Sequence, residues 1–270
     1  MMHDGRGEPA AADRLRERLR SPDRRPARRF LTRLRRALDE RYLDLLCSIY
    51  IYNEHRGYTA IDRVLEAVRA RAPDDLAFIA AIEKHRADER KHYLMFRRWF
   101  EARGGMPLLV DRTCGHIDRF VEIMFGSTID QLDTGAVIAS DRLFERLCRV
   151  VSLTEQRGHR QVRILLDHPI VRRDRTLVKI FAIIERDEPS HWQPYDDWLH
   201  RSAKREPSRW ERAIDTFIHS ELLFVKLPLL FVTPRLSRRD RWADDQDPVS
   251  MASGELEFDP VAHDRCASLT

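Results

Sequence analysis

The chain has 270 residues, of which 43% are hydrophobic and 34% charged, and its formal net charge is +4. This length is sufficient for a substantial hydrophobic core, and the small net charge is not a general signal for nucleic-acid binding. The cysteines at positions 47, 114, 148 and 266 show no CxxC spacing and indicate no disulfide framework. There is also no secretory signal, and no apolar run is long enough to cross a bilayer. We therefore expect a soluble, cytoplasmic protein.

Helical periodicity dominates the chain between two polar ends, so we predict an all-α fold. The ends are expected to be a flexible basic tail at 1–26 and a disordered acidic tail at 237–270. Between them we predict helices over about 27–70, 74–103, 118–125, 134–167 and 170–201, and a further C-terminal helix from about residue 208. The last helix carries the apolar run 222–232, which leaves a peripheral membrane contact open. Two long hairpins joined by a crossover connection predict a four-helix bundle with one additional helix.

The two predicted hairpins repeat the same pattern of chemical groups. The first helix of each hairpin carries the pattern Glu-x-Arg-Gly, at Glu54 and again at Glu155, and each Glu follows a cysteine by seven residues. The second helix of each carries Asp-Glu-x-x-His, with the acids and histidines at Asp88, Glu89, His92, Asp187, Glu188 and His191. Gly57 and Gly158 follow the first Glu of each hairpin and are expected to allow close helix packing. The repeat includes spacing as well as composition, and it singles out four Glu and two His, with an Asp before the second Glu of each hairpin.

Apolar residues flank each of the four Glu at helical spacing, so these carboxylates are expected to point into the core. An ionised carboxylate buried without compensation costs several kcal/mol, and two divalent cations would compensate four of them. Carboxylate oxygens combined with imidazole suit iron or manganese. The pattern therefore predicts a site for two metal ions.

These motifs resemble those of the ferritin-like non-haem di-iron carboxylate superfamily. That group includes ribonucleotide reductase small subunits, acyl-carrier desaturases, multicomponent monooxygenases, arylamine N-oxygenases and rubrerythrins. The resemblance extends over about residues 37–198 and implies two Fe ions, or a mixed Mn/Fe pair, with Glu89 and Glu188 as the bridges. It assigns one ion to Glu54, Glu89 and His92, and the other to Glu155, Glu188 and His191. It also implies that Asp88 and Asp187 accept hydrogen bonds from His191 and His92, respectively.

Some positions depart from the superfamily pattern. His85, four residues before Glu89, is either a further ligand or hydrogen-bond donor, or a buried core histidine. His159, one turn after Glu155, is a candidate for proton delivery. Pro189 interrupts the second Glu-x-x-His motif and is expected to kink its helix. Phe96 stands where reductase small subunits carry a radical tyrosine, so radical storage is disfavoured.

The resemblance implies an oxidoreductase that uses O2 to hydroxylate, desaturate or N-oxygenate a small, apolar organic substrate. Electrons would come from an external reductase or ferredoxin, because the sequence has no flavin or nicotinamide fingerprint. A ferroxidase or peroxide-scavenging iron protein is the first alternative. A tRNA hydroxylase is the second, although acidic residues dilute the basic N-terminal segment and disfavour nucleic acid as a partner. A non-enzymatic interaction module would leave the carboxylates without a purpose. A homodimer is left open.

Overall fold

The computed structural model describes residues 24–110, 114–203 and 206–246, and this part of the chain is all-helical, as predicted. Besides the helices it contains one isolated antiparallel bridge between Leu108 and Arg238. The α-helices are α1 (Arg24–Arg71), α2 (Leu76–Ala102), α3 (His116–Phe125), α4 (Thr134–Ala139), α5 (Asp141–Leu166), α6 (Arg175–Asp187), α7 (Pro189–Trp198), α8 (Arg209–Glu221) and α9 (Leu227–Val232).

The described part of the chain divides into two compact units between Tyr42 and Leu43, and helix α1 begins in the first and continues into the second. In the first unit, α1 carries an exposed apolar stripe at Phe30, Leu31, Leu34 and Leu38. Arg36 and Glu40 form an ion pair there, with 2.9 Å between Nε and Oε1. Of the tail predicted at 1–26, residues 1–23 lie outside the described residues, and Arg24 already belongs to α1.

The second unit contains the packed core. Helix α2 packs against α6 and α7, and α5 packs against the same two helices. Helix α1 is joined to α2 by ion pairs, among them Arg69–Glu83 at 2.6 Å. The core between the helices includes the fully buried side chains of Ile61, Ile82 and Phe144. These contacts bring α1, α2, α5 and the α6–α7 segment around one interior.

Two of the predicted helices are interrupted. The helix predicted over 134–167 is divided at Ser140, whose hydroxyl accepts a hydrogen bond from the backbone N–H of Leu143 and begins α5. The helix predicted over 170–201 starts with a 3₁₀ turn and is then divided at Glu188 into α6 and α7. Pro189 has no backbone N–H and fills the first position of α7, which explains the division. The expected kink thus falls inside the second Glu-x-x-His motif.

The C-terminal helix begins where the sequence predicts it. Ser208 and Glu211 form a capping box at the start of α8, with 2.7 Å from the Ser208 backbone nitrogen to Glu211 Oε2. A π-helical turn, Leu222–Lys226, then connects α8 to α9. None of the described helices is both long and apolar enough to span a membrane.

The predicted start of the acidic tail, at residue 237, is too early. Asp244 accepts hydrogen bonds from the Tyr93 hydroxyl at 2.6 Å and from Nη1 of Arg97 at 2.8 Å. The backbone of residues 237–239 is also hydrogen-bonded to that of residues 107–109. Polar composition suggested disorder, but here an acidic residue satisfies two groups on α2. The rest of the predicted tail, 247–270, lies outside the described residues.

Candidate metal centre

Four helical segments deliver the acids and histidines that the repeat singles out. Glu54 lies on α1, Glu89 and His92 on α2, and Glu155 on α5, while Glu188 and His191 lie at and just after the α6–α7 division. All of them are buried except Glu155, which is slightly more exposed. The imidazoles of His92 and His191 are completely inaccessible to solvent. The carboxylates therefore face the interior, as their apolar neighbours predicted.

The side chains form two groups that share Glu89. Glu54, Glu89 and His92 make the first group, and His85, Glu89, Glu155 and His191 make the second. Within each group the potential ligand atoms all lie within 4.8 Å of one another. In the first group His92 Nδ1 is 3.4 Å from Glu54 Oε2, and in the second His191 Nδ1 is 3.2 Å from Glu89 Oε1. Each group could hold a metal ion, and Glu89 lies where it could contact both.

Glu188, predicted as a bridging ligand, lies at the edge of the second group and is not one of its members. Its Oε2 is 3.9 Å from Nδ1 of His191, and no described residue hydrogen-bonds to this oxygen. The carboxylate faces Gly158, where an added Cβ would stand 3.3 Å from Glu188 Oε1. Of the two predicted bridges, Glu89 belongs to both groups, whereas Glu188 belongs to neither and lies beside the second.

His85 belongs to the second group. The sequence had left open whether this residue is a further ligand or hydrogen-bond donor, or a buried core histidine. Its Nε2 lies 3.6 Å from Glu89 Oε1 and 3.8 Å from Glu155 Oε1, and its ring stacks on His191 with centroids 4.2 Å apart. Its Nδ1 is 3.3 Å from the Tyr195 hydroxyl. Burial and the neighbouring His191 lower the pKa of His85 to about 4. A neutral imidazole with Nε2 directed at two carboxylates is suited to bind a metal ion.

His159, by contrast, is not brought to the centre. Its ring lies 5.0 Å from that of Trp192, and the side chain is half-exposed. It is absent from the residues that line the cavity beside the carboxylates. One turn of helix separates it from Glu155, but its ring lies against α7 instead of the interior. Its predicted role in proton delivery has no support in this geometry.

Several buried atoms of the centre lack hydrogen-bond partners among the described residues: Nε2 of His85, Nδ1 of His92, both ring nitrogens of His191 and Oε2 of Glu188. Carboxylate oxygens stand near the ring nitrogens, but without hydrogen-bond geometry. Leaving a buried polar atom unsatisfied costs about 1–3 kcal/mol. Coordination to a cation would satisfy these atoms together. The oxygen and nitrogen donor set therefore fits a divalent metal ion.

The pKa values show that protons and metal ions compete for the same groups. Burial, together with the charge of Glu89, raises the pKa of Glu54 to about 7 and that of Glu155 to about 8. The pKa of His92 rises to about 9 despite its burial, because the carboxylates of Asp187 and Glu54 lie beside its ring and favour the protonated form. The His92 and Glu54 side chains thus hold protons near neutral pH, and a cation must displace them to bind.

Asp187 and Asp88, outside the two groups, lie beside the histidines, and of the two only Asp187 has hydrogen-bond geometry. Asp187 Oδ2 lies 3.3 Å from Nε2 of His92, and Asp88 Oδ2 lies 3.5 Å from Nε2 of His191, each across the repeat. Lys91 connects the two acids: its Nζ is 2.7 Å from Asp187 Oδ2 and is also bonded to Asp88. These contacts depress the pKa of both acids in spite of burial. Lys91 was not predicted from the sequence, although its position three residues after Asp88 on one helix is typical of an ion pair between the two.

A cavity of about 80 Å³ adjoins the centre. Glu54, Glu89, Glu155 and Glu188 all line it. Gly57 is essential to this arrangement, because a Cβ there would stand 2.0 Å from Oε2 of Glu89. The glycine thus makes room for a carboxylate.

The chain matches no protein-family model, and comparisons with curated proteins and with solved structures found no match. What the centre does is therefore inferred from its own geometry.

Proposed function

We propose that this protein is a di-iron oxidoreductase that uses dioxygen to oxidise a small organic substrate within a ferritin-like four-helix bundle. The observation that carries the proposal is the pair of acid–histidine groups that share Glu89. Two metal positions joined by a carboxylate suit a reaction in which two ions act together on one small molecule.

The proposed bundle consists of α1, α2, α5 and the α6–α7 segment, with α3 and α4 in the crossover between the two hairpins. The packing of α2 and α5 against both α6 and α7 supports it. So does the origin of the ligands, since each of the four segments contributes at least one acid or histidine. In ferritin-like di-metal proteins, the ligands also project inward from facing helices.

Iron is the metal we propose, because the donor set combines carboxylates with neutral imidazole and contains no thiolate. The described cysteines 47, 114 and 148 are buried but belong to neither group. When bound, the two iron ions would supply the electron transfer to dioxygen that protein side chains cannot perform. In a hydroxylation, one oxygen atom enters the substrate and the other leaves as water. That stoichiometry consumes two protons and two electrons from an external reductase.

The residues around the centre have separate tasks in this proposal. Glu54, Glu89, Glu155, His85, His92 and His191 hold the ions, with Glu188 available beside the second position. Asp187 and Asp88 orient the two histidines, and such carboxylate–histidine contacts fix the imidazole tautomer. Lys91 holds both acids in place. The cavity beside the carboxylates provides the space for substrate.

Oxygen uptake tests the proposal. Protein loaded with ferrous ion under argon should consume dioxygen on mixing, and Glu89→Gln should lose this uptake together with metal binding. Glu185→Gln, on α6 but away from both groups, is the matched control and should behave as wild type. Iron-loaded wild type that consumes no dioxygen would rule the proposal out. Uptake that only oxidises and stores added iron, with no dependence on a reductase, would instead establish the ferroxidase alternative.

A further inference from the structure

Besides the four carboxylates, the cavity beside the metal centre is lined by polar residues that are not acidic. Arg157 lines it together with Asn53, His116 and Gln161, which all carry hydrogen-bonding groups. Arg157 lies on α5 two residues after Glu155, and only 2% of the residue is exposed to solvent. A buried guanidinium therefore borders the same space as the acids that could hold metal ions.

One end of this guanidinium has no partner among the residues that the structure describes. Nη1 of Arg157 forms an ion pair with the buried Asp215. Within the described part of the chain, no group accepts a hydrogen bond from Nη2, although this atom is buried. An unsatisfied N–H of a buried charged group is costly, so an acceptor from outside the chain would be bound favourably there.

The internal repeat supplies a comparison. Arg56 stands two residues after Glu54, the same place in the first hairpin that Arg157 occupies in the second. Its guanidinium is fully paired, with Nη2 2.7 Å from Asp118 Oδ1 and 3.0 Å from Asp130 Oδ2, and with further bonds from Nε and Nη1. Arg56 does not line the cavity. The two arginines thus differ, and Arg157, whose Nη2 has no partner among the described residues, is the one that borders the cavity.

We propose that Arg157 binds the substrate of this protein through a carboxylate group. The N–H groups of Nη2 can donate to a carboxylate oxygen, and charge-assisted hydrogen bonds of this kind are among the strongest in proteins. The rest of the substrate then extends toward the carboxylates of the metal centre. The cavity has about half the roughly 150 Å³ that accommodates benzene elsewhere. It therefore suits a short carboxylic acid, or the carboxylate end of a longer molecule that reaches in from solvent.

The inference rests on the proposed function for the fate of the substrate, but carboxylate binding itself is measured independently of turnover. Butyrate and its uncharged counterpart butyramide are titrated calorimetrically into full-length protein loaded with ferrous ion under argon. We expect butyrate to bind at least 10-fold more tightly than butyramide, and Arg157→Gln to weaken butyrate by about 10- to 100-fold. Arg56→Gln removes the matched arginine of the first hairpin and should leave butyrate binding unchanged.

One further variant and one further measurement, butyrate binding after metal removal, separate the outcomes. Arg157→Gln leaves Asp215 buried without its partner, so Arg157→Gln with Asp215→Asn is measured in parallel and should show the same loss of butyrate affinity. Equal butyrate binding by wild type and both Arg157 variants would overturn the proposal. If that binding were lost only when the metal is removed, the butyrate carboxylate would be bound by the metal ions and not by Arg157. No preference for butyrate over butyramide in protein that binds iron and consumes dioxygen would overturn this inference and leave the proposed function intact. Butyrate binding that depends on Arg157, in a protein that takes up no oxygen, would overturn the proposed function and leave carboxylate binding by Arg157 intact.

Discussion

Gly57→Ala should remove metal binding while the fold is kept. The Cβ of alanine at this position would lie 2.0 Å from Oε2 of Glu89, whereas ordinary contacts begin at 3.4 Å. The carboxylate must therefore move by about 1.4 Å, and metal–ligand distances tolerate only about 0.2 Å. Because Glu89 belongs to both groups, its displacement affects both metal positions. We expect iron affinity to fall by at least about 100-fold, more than the 10- to 100-fold typical of a residue that only orients a ligand.

Gly158→Ala is the matched control, since it makes the same change at the repeated position. Its Cβ would lie 3.3 Å from Glu188 Oε1, so a small adjustment of the carboxylate accommodates it. In a helix, alanine is favoured over glycine by about 1 kcal/mol, so both variants should remain folded. Iron binding is measured by calorimetry under argon with elemental analysis of the dialysed protein, and helix content by circular dichroism. A Gly57→Ala protein that binds two equivalents of iron as tightly as wild type would refute the placement of Glu89 between the metal positions.

Three further predictions concern pH, histidine orientation and the C-terminal contact. The metal-free protein should lose thermal stability from about pH 5 to about pH 9. The pKa values of about 7 for Glu54 and about 8 for Glu155 exceed the ordinary 4.5, and that of about 9 for His92 exceeds the ordinary 6.5, so the folded state keeps protons that the unfolded chain releases. His85 has the opposite effect, because its pKa is lowered from 6.5 to about 4 and its contribution to stability rises with pH between those values. Melting temperatures measured with iron should decline less with pH than those measured without it. Asp187→Asn should weaken iron binding by about 10- to 100-fold in calorimetry through loss of histidine orientation, and an unchanged affinity would exclude that role. Asp244→Ala should destabilise the protein by about 1–3 kcal/mol in denaturant unfolding, because two hydrogen-bond donors lose their acceptor. Its iron stoichiometry should stay that of wild type, and a parallel loss of metal would contradict this purely structural role.

The helices and the buried acids could be predicted because both follow from local periodicity. A Glu flanked by apolar residues at helical spacing lies on the face of the helix that packs against the core. Glu54, Glu89 and Glu155 all point into the core, as this pattern predicts. Pro189 marked the division of the α6–α7 segment for an equally local reason, its missing N–H.

The remaining features depend on the angle and depth at which helices meet, which a single sequence does not contain. His85 and His159 lie at equal distances from a Glu in the sequence, yet His85 reaches the centre and His159 lies against Trp192. For the same reason, the sequence did not predict that Glu188 lies beside the second group and not within it. Asp244 was missed because its partners lie on α2, far from it in sequence. Lys91 has one partner nearby, Asp88, but its contact with Asp187 joins segments that are distant in sequence.

The most direct test of a two-metal centre is anomalous X-ray diffraction at the iron edge from crystals prepared anaerobically with ferrous ion. The geometry predicts two strong peaks for each chain, about 3.5–4 Å apart as in other two-metal sites, with the Glu89 carboxylate between them. Peaks confined to the protein surface, or a single peak remote from Glu89, would contradict the account.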